Sequence, residues 1–561
     1  MREIWQLEEF QLRDRRVFIN GWCLIPDQSL EKLELQLLDA SGHLVGGFSL
    51  SAGNPRPDVQ QAYQQYQHSL YAGFVGVGAL PRQPGHDDKL MLSGILADGQ
   101  DVVEYVIPIA RFRLFLSPSP SPSPSPSASQ RRKAAWFQFF VYVKRAIRLL
   151  RNGQFASLYE KLRRQLVGAP QKPLPHVLTR STLLDLGANL DAGIHLVVDH
   201  RLGGGANHYR ERMVEPWLQA GSAVLTLTYH LGSLQPMLVV DTAHQQQRFA
   251  LSHESELLKA LSQISLATVT YNTAVSFVEP ELIPGLLLRL RRSHGAHLTV
   301  LVHDFFSICP SHFLIHSDGH YCGIPNLQSC RSCLHRNPHG FTSLYSGDVG
   351  QWRELWGPLL READEVIAFS ESSVQILRQA YEFWPDGFNW LEGRAITVQP
   401  HAVDYLNGDT VKVRQSSKLV IGVVGQIGFH KGAEVVRGLA QEIQREGSDE
   451  RIAIIGSLEV GVNSAIVQQS GPYKHSELAK MIEQSGANVM LFPSVWPETF
   501  SYVTQEILEL DLPLACLNLG AQAERVKNHH KGWVLSSSDP RLILQELRQL
   551  LKTSYNLQEA Q

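Results

Sequence analysis

The hydrophobic pattern changes period once along the chain, and the change divides it into two kinds of structure. In the first part, apolar residues come in short alternating or apolar segments at Arg16 to Ile25, Lys32 to Leu38, Lys89 to Ile95 and Asp101 to Ile109, separated by Pro-Asp-Gln, Ser-Gly and Asp-Gly turns. That pattern predicts strands and a small all-β, sandwich-like unit over residues 1–115, with a short helix within the Gln/Tyr-rich stretch Asn54 to Gly73. Beyond residue 176, continuous Val/Ile/Leu runs alternate with amphipathic stretches. Strands are predicted at Ile194 to Asp199, Ala223 to Thr228, Met237 to Val240, Ala267 to Tyr271, His297 to Val302 and Glu365 to Ser370, with helices at His208 to Ala220, Pro280 to Arg292, Gly350 to Glu362 and Glu371 to Tyr381. The series resumes with Leu419 to Gly425, the helix Ala433 to Arg445, Ile452 to Ile455, Val489 to Phe492, the helix Tyr502 to Leu510 and Leu514 to Leu517. Uninterrupted apolar strands are buried on both faces, as in parallel sheets flanked by helices. The reading is therefore an α/β chain with two such domains, at 176–403 and 404–551, and a tail at 552–561.

The segment between the two kinds of structure has its own composition. Ser117 to Ser129 is almost a pure Ser-Pro repeat, which forms neither helix nor sheet and makes 116–130 an extended spacer. Residues 131–168 follow as a basic amphipathic segment. Arg131 to Arg151 mixes clustered bases with Trp136, Phe137, Phe139 and Phe140, and no acid occurs before Glu160. Such a helix lies in a membrane interface, with bases at anionic head groups and aromatics below them. Packing on a neighbouring domain with solvated bases is the alternative.

Composition adds limits. With 561 residues, 43% hydrophobic and 19% charged, the chain is globular and too long for one core. Its net charge of -3 gives no global sign of nucleic-acid binding. Met1 to Phe10 is polar and mixed in charge, unlike a signal peptide, and no apolar run spans a bilayer. A cytoplasmic protein with reduced thiols is expected, peripheral on the inner face of the cytoplasmic membrane through 131–151.

Chemistry-bearing residues cluster at the expected carboxyl ends of strands. The loop Pro493 to Ser501 holds Glu498 and opens onto a helix holding Glu506; an ordinary strand–loop–helix with two solvated glutamates has the same spacing. Lys431 stands just before a predicted helix start, where a cation and the free N–H groups of the helix together favour a diphosphate. Leu202-Gly-Gly-Gly-Ala-Asn207 is a tight loop after a strand, lacking the full dinucleotide fingerprint, which disfavours a dehydrogenase. His303 ends another strand, with Asp304 beside it as an orienting partner. Cys309, Cys322, Cys330 and Cys333, with twelve, seven and two residues between successive members, suit a structural zinc over 309–333. Free thiols or disulfides, or substitution by His312, His316 or His320, remain open. Cys23 and Cys516 read as core.

Taken in order, these motifs resemble the retaining glycosyltransferases of family 4, of the bacterial polysaccharide and O-antigen type. The resemblance implies the GT-B fold of two facing Rossmann-like domains, with an acceptor-side domain at 176–403 and a nucleotide-sugar domain at 404–551. It implies transfer of a sugar from a nucleotide-diphosphate donor to a hydroxyl of a glycan or lipid-linked acceptor. Glu498 would hold the donor sugar's hydroxyls, Glu506 the nucleotide's ribose, and the backbone of Thr499, Phe500 and Ser501 the sugar and phosphate. Gly204, Gly205 and Gly425 would face the donor, His303 would touch its sugar and Lys431 its diphosphate. Thr397 to Asp404 resembles the crossing between domains, Gly471-Pro-Tyr the contact to the base, and Leu519 to Val526 the final glycine loop. One position departs: the family's arginine five residues before the lysine is Gln426 here, which removes a cation from the leaving-group site. No catalytic metal is implied, and no protein nucleophile is evident. The first unit looks like the accessory β-domain that precedes some bacterial polysaccharide glycosyltransferases. A noncatalytic GT-B glycan-binding or membrane-assembly scaffold is the alternative that accounts for Gln426.

Overall fold

The computed structural model describes residues 3–559 except 14, 26–27, 29, 55, 64, 67, 70–71, 86, 97–101, 108–113, 116–171, 176, 201–202, 231–233, 335–336, 338, 340–342, 383–387, 407–410 and 412–417. The Ser-Pro spacer and the basic segment 131–168 lie outside the described residues.

The first unit is an eight-stranded sheet whose two halves share one strand. Leu44–Asn54 pairs antiparallel with Leu30–Leu38 through its first half and with Gly73–Ala79 through Ser51 to Asn54. The two halves close over one core, in which Phe10, Leu12, Val17 and Ile19 of one meet Leu33, Leu35, Leu37, Leu90 and Leu92 of the other. Alternation puts Leu33, Leu35 and Leu37 on the inner face together, each fully buried. The sandwich-like packing is therefore made by one continuous sheet, bent at a shared strand. Pro57–Ala62 supplies the short helix, with its proline in the first turn.

The second sheet has nine strands, centred on Ile194–Val198. That strand lies between Ala223–His230 and Thr268–Tyr271, parallel to both, and His297–Leu301, Glu365–Ala368 and Thr397–Val398 continue in parallel. Gln235–Asp241 departs from the βαβ pattern: it returns antiparallel to Ala223–His230, and Gln246–Ala250 pairs antiparallel with it in turn. Four residues separate each of these strands from the next, far too little chain for a parallel crossover.

The third sheet is all parallel, in the order Val467–Gln469, Arg451–Leu458, Val420–Ile427, Val489–Phe492, Leu514–Leu517, Gly532–Leu535. The chain therefore moves outward from Val420–Ile427 on one side and then restarts on the other. Ile194–Val198 has the same role in the second sheet. These reversals are topological switch points, where a crevice opens at the carboxyl ends of the strands.

The two α/β domains, the architecture of a GT-B fold, face each other across these crevices and touch. Thr499 Oγ1 donates to the carbonyl of His303 (2.8 Å), Tyr502 Oη lies 2.9 Å from His401 Nδ1, and Glu524 accepts from the backbone N–H of Ser372 (2.8 Å). Phe500 of the last domain is buried with Leu301, Ile367 and Phe369 of the first. The β-unit is tied to the first α/β domain by the Arg16–Glu279 ion pair and by Arg13 donating to Gln235. Its short helix also borders a cavity of 720 Å³, away from the interdomain cleft, with Arg437, Gln441 and Gln444 of the last domain opposite Gln60 and Tyr66.

Candidate functional site

The loops at the two switch points build the site, and each is held by a different device. In the last domain the segment Phe429–Lys431 is a 3-10 turn that ends at Gly432, whose φ is +85°. A side chain there would place its Cβ 2.0 Å from the carbonyl oxygen of Pro493, so both the turn and the close approach require glycine. His430 O accepts from Val495 N (3.1 Å), which ties the lysine loop to the loop carrying Glu498. The helix Gly520–Lys527 braces that loop from behind: Gln522 accepts from Glu498 N (3.1 Å) and donates to Trp496 O (2.8 Å), while Ala521 N donates to Glu498 O (2.9 Å). Ser501 has a left-handed backbone with φ +65°, an unusual conformation for a non-glycine residue, and its Oγ accepts from Thr504 N (3.4 Å) at the start of the next helix.

In the first α/β domain, Gly203 and Gly204 have φ near +85°, and a Cβ at either would meet no atom within 4 Å. Their requirement for glycine is thus conformational. Gly205 differs, because a Cβ there would lie 2.9 Å from the Tyr502 ring across the cleft. Asn207 fastens the loop by accepting from Gly203 N (2.7 Å) and donating to Asp199 (2.6 Å), and Asn272 donates to the other oxygen of Asp199 (2.8 Å).

Several of the residues singled out from sequence carry a buried polar atom with no hydrogen-bond partner in the structure: His303 Nε2, Glu498 Oε1 and Glu506 Oε2. Buried polar groups are otherwise nearly always satisfied, so each marks a place where a polar ligand can bond. The other oxygen of Glu506 accepts from Tyr405 Oη and lies 2.9 Å from His475 Nδ1. That hydrogen bond and charge raise the pKa of His475. His303 is pushed well below 6.5, by burial first and then by His401 and His200, and is neutral at physiological pH. It stacks on Phe369 with ring centroids 4.4 Å apart and meets Tyr209 edge-on at 5.0 Å, so its ring is fixed as well as neutral.

Asp304 does not orient His303. Its carboxylate accepts from Thr273 Oγ1 (2.7 Å) and Phe306 N (2.8 Å), because the chain turns at that point and aims successive side chains in different directions. Lys431 makes no ion pair with any acid of the described residues and is partly exposed. Gln426 is exposed and donates to Glu459 at 3.5 Å. Gly425, with φ +119°, lies beside Gly456, where a Cβ would come within 2.0 Å of the Gly425 carbonyl.

Two contributors were not singled out from sequence, although each lies in a segment that was. Arg525 lies 3.7 Å over the Phe500 ring and donates to Phe500 O; burial lowers its pKa to about 10, opposed by the charges of Glu524 and Glu498. His401, lowered to about 3 chiefly by burial, joins the aromatic wall between His303 and Tyr502. A half-buried cation beside Glu498 is visible only once the last glycine loop is packed against the Glu498 loop.

The cysteine-rich segment grips the lysine loop. Phe313 stacks on His430 with centroids 4.3 Å apart, and His339 stacks on Phe429 at 4.4 Å. Cys330 and Cys333 lie on the helix Leu327–Leu334, with Cys309 and Cys322 on the preceding loops. Burial raises the Cys309 thiol to about 12 and the Cys322 thiol to about 11, and in each case nearby thiols add to the shift. The four thiols are thus neighbours, and Asn337 donates to Cys333 Sγ (3.4 Å). Among the described residues, no three of their sulfurs come within 4.8 Å of one another. His316 and His320 instead pair with Asp318.

Residues 409–561 match the family model described as "Glycosyl transferases group 1", which identifies that span as a glycosyltransferase domain. No curated protein matches the sequence. Among solved structures, the chain is similar to Anabaena HepE in complex with UDP-glucose, at 14% identity over 65% of this chain and 91% of that one, with a TM-score of 0.40. It is also similar to the catalytic domain of starch synthase IV from Arabidopsis thaliana bound to ADP and acarbose, at 11% identity, 65% and 91% coverage and a TM-score of 0.37. A third is Acinetobacter baumannii MurG, at 12% identity, 65% and 91% coverage and a TM-score of 0.33.

Proposed function

We propose that the chain is a retaining glycosyltransferase of the family 4 type, which moves a sugar from a nucleotide-diphosphate-sugar to a hydroxyl of a glycan or lipid-linked acceptor in bacterial surface polysaccharide or lipopolysaccharide synthesis. The observation that carries this reading is the set of unpartnered buried atoms on His303, Glu498 and Glu506, combined with Lys431, which pairs with no acid among the described residues and sits on a loop bonded to the Glu498 loop. A glycosyl donor has hydroxyls on its sugar and ribose and an anionic diphosphate between them. Glu498 and Glu506 accept hydrogen bonds from these hydroxyls, Lys431 and backbone N–H groups neutralise the diphosphate, and neutral His303 bonds the sugar. Catalysis then consists of stabilising the departing diphosphate and an oxocarbenium-like sugar between closed domains. The sugar–phosphate bond breaks and the bond to the acceptor oxygen forms on the same face of the sugar, with the acceptor's proton passing to the departing diphosphate, so no protein nucleophile is required.

Zinc at Cys309, Cys322, Cys330 and Cys333 would pin the segment that grips the lysine loop, and would have to draw the four sulfurs closer than they lie in this structure. Four protein ligands leave no open position for chemistry. Residues 131–151 would hold the protein peripherally on the inner face of the membrane, beside a lipid-linked acceptor. Gln426 with Glu459 favours the second reading, a scaffold whose leaving-group site has lost a cation. Calorimetric titration with UDP, GDP and ADP separates the two: a catalyst binds one of them, Lys431→Ala weakens that binding, and product NMR shows the donor's anomeric configuration retained. A folded parent that binds none of the three rejects the catalytic reading.

A further inference from the structure

A second cluster of unpartnered buried groups lies at the seam between the β-unit and the first α/β domain. Glu254 is 1% exposed, and neither of its carboxylate oxygens has a hydrogen-bond partner. His253 Nε2 lies 3.8 Å from Glu254 Oε2, and one ligand atom from each of His253, Glu254 and Glu279 falls within 4.8 Å of the others. Around them, Tyr229 Oη and Glu281 Oε2 are also buried without partners. Arg16, from the β-unit, pairs with Glu279. Glu254 is a deeply buried carboxyl whose oxygens have no hydrogen-bonded partner, a costly arrangement unless a cation joins it.

We propose that His253, Glu254 and Glu279 bind a divalent transition-metal cation that clasps the β-unit to the first α/β domain. One imidazole and two carboxylates form a mixed nitrogen and oxygen set, which suits Mn²⁺ or Zn²⁺ better than the all-oxygen preference of Ca²⁺ or Mg²⁺. A neighbouring hydroxyl can fix the imidazole for coordination. His253 Nδ1 accepts from Ser255 N (3.2 Å) and lies 2.9 Å from Ser255 Oγ; in the tautomer where Nδ1–H donates to that hydroxyl instead, Nε2 is free to bind the metal. Glu279 then meets the metal on one side and Arg16 on the other. Metal binding therefore tightens the seam as well as neutralising Glu254.

The test uses the full chain and Mn²⁺ alone, followed by the loss of the electron paramagnetic resonance signal of the free aqua ion. Soft thiolates compete poorly for Mn²⁺, so the cysteine cluster does not mask the result. The expected result is saturable binding of Mn²⁺ that weakens at least tenfold in Glu254→Gln and in His253→Ala, and a rise in the parent's melting temperature with Mn²⁺ that Glu254→Gln lacks. Glu254→Gln preserves shape and removes charge, and circular dichroism checks that it folds. Absence of binding by the folded parent, or equal binding by folded Glu254→Gln, overturns the proposal. Equal binding would place the ion elsewhere, as at the exposed cluster of Asp511, His529 and His530.

Discussion

The two α/β domains bring opposite chemistry to one cleft. The first presents a neutral wall: His303 and His401 are held uncharged by burial, Tyr209 and Phe369 pack around them, and Asp199 is spent on Asn207, Asn272 and Arg210. The second presents charge: Lys431 and Glu498 on loops, Glu506 on the helix that follows and, behind them, Arg525 on the next helix. A low-polarity wall facing a charged loop strengthens the electrostatic interactions formed between them once the domains close, because little water remains to screen them. Closure is therefore as much a part of the site as any side chain, and Thr499 bonding to His303 marks the contact.

The largest way to break this contrast is to remove charge from the second domain. Glu498→Gln should reduce sugar transfer on the order of 1,000-fold and Lys431→Ala about 100-fold, measured as kcat/KM, with melting temperatures near the parent's. The buried histidines, three in the first domain and His430 in the second, make a different prediction, about acid. His303, His401, His312 and His430 all have folded pKa values below the ordinary 6.5, through burial first in each case. Their contribution is fully present above the unfolded pKa and is lost as pH falls below it, because the unfolded chain takes up protons that the folded one refuses. Melting temperature should fall steadily from about pH 6.5 toward about 4, and replacing His312 with Phe should flatten that slope. His475 has the reverse sign. Its folded pKa is raised by Glu506, so its contribution is complete below the unfolded pKa and fades as pH rises through the folded one; Glu506→Gln should lower the His475 titration seen by NMR.

Smaller effects sharpen the account of loop positioning. Phe313→Ala removes the ring stacked on His430 and should weaken donor binding about 10-fold through displacement of the lysine loop, without touching a charge. Gln426→Arg should strengthen donor binding by roughly threefold only, since Glu459 beside it can pair with the new cation at the surface.

Sequence reveals the parts that depend on local pattern. The apolar runs Val420–Ile427 and Val489–Phe492 announce themselves as buried parallel strands, and the loops after them follow from position alone. What stays hidden depends on side chains far apart along the chain. Asp199 reads as a strand end, yet it organises the glycine loop through Asn272, 73 residues away. Arg525 reads as an ordinary helix residue until Phe500 is seen beneath it. Asp304 shows the complementary limit: adjacency in sequence does not make side chains partners where the backbone turns. The hairpin at Gln235–Asp241 escapes because an apolar run identifies a strand without giving its direction.

The central claim is that charged groups of the second domain act on a nucleotide-sugar held against the neutral wall of the first. Turnover of a panel of nucleotide-diphosphate sugars by the parent, Lys431→Ala and Glu498→Gln tests it most directly. Release of nucleoside diphosphate from one donor by the parent, and its loss in both folded variants, is the expected result. Release that persists undiminished in both variants, or a folded parent that turns over no donor, would contradict it.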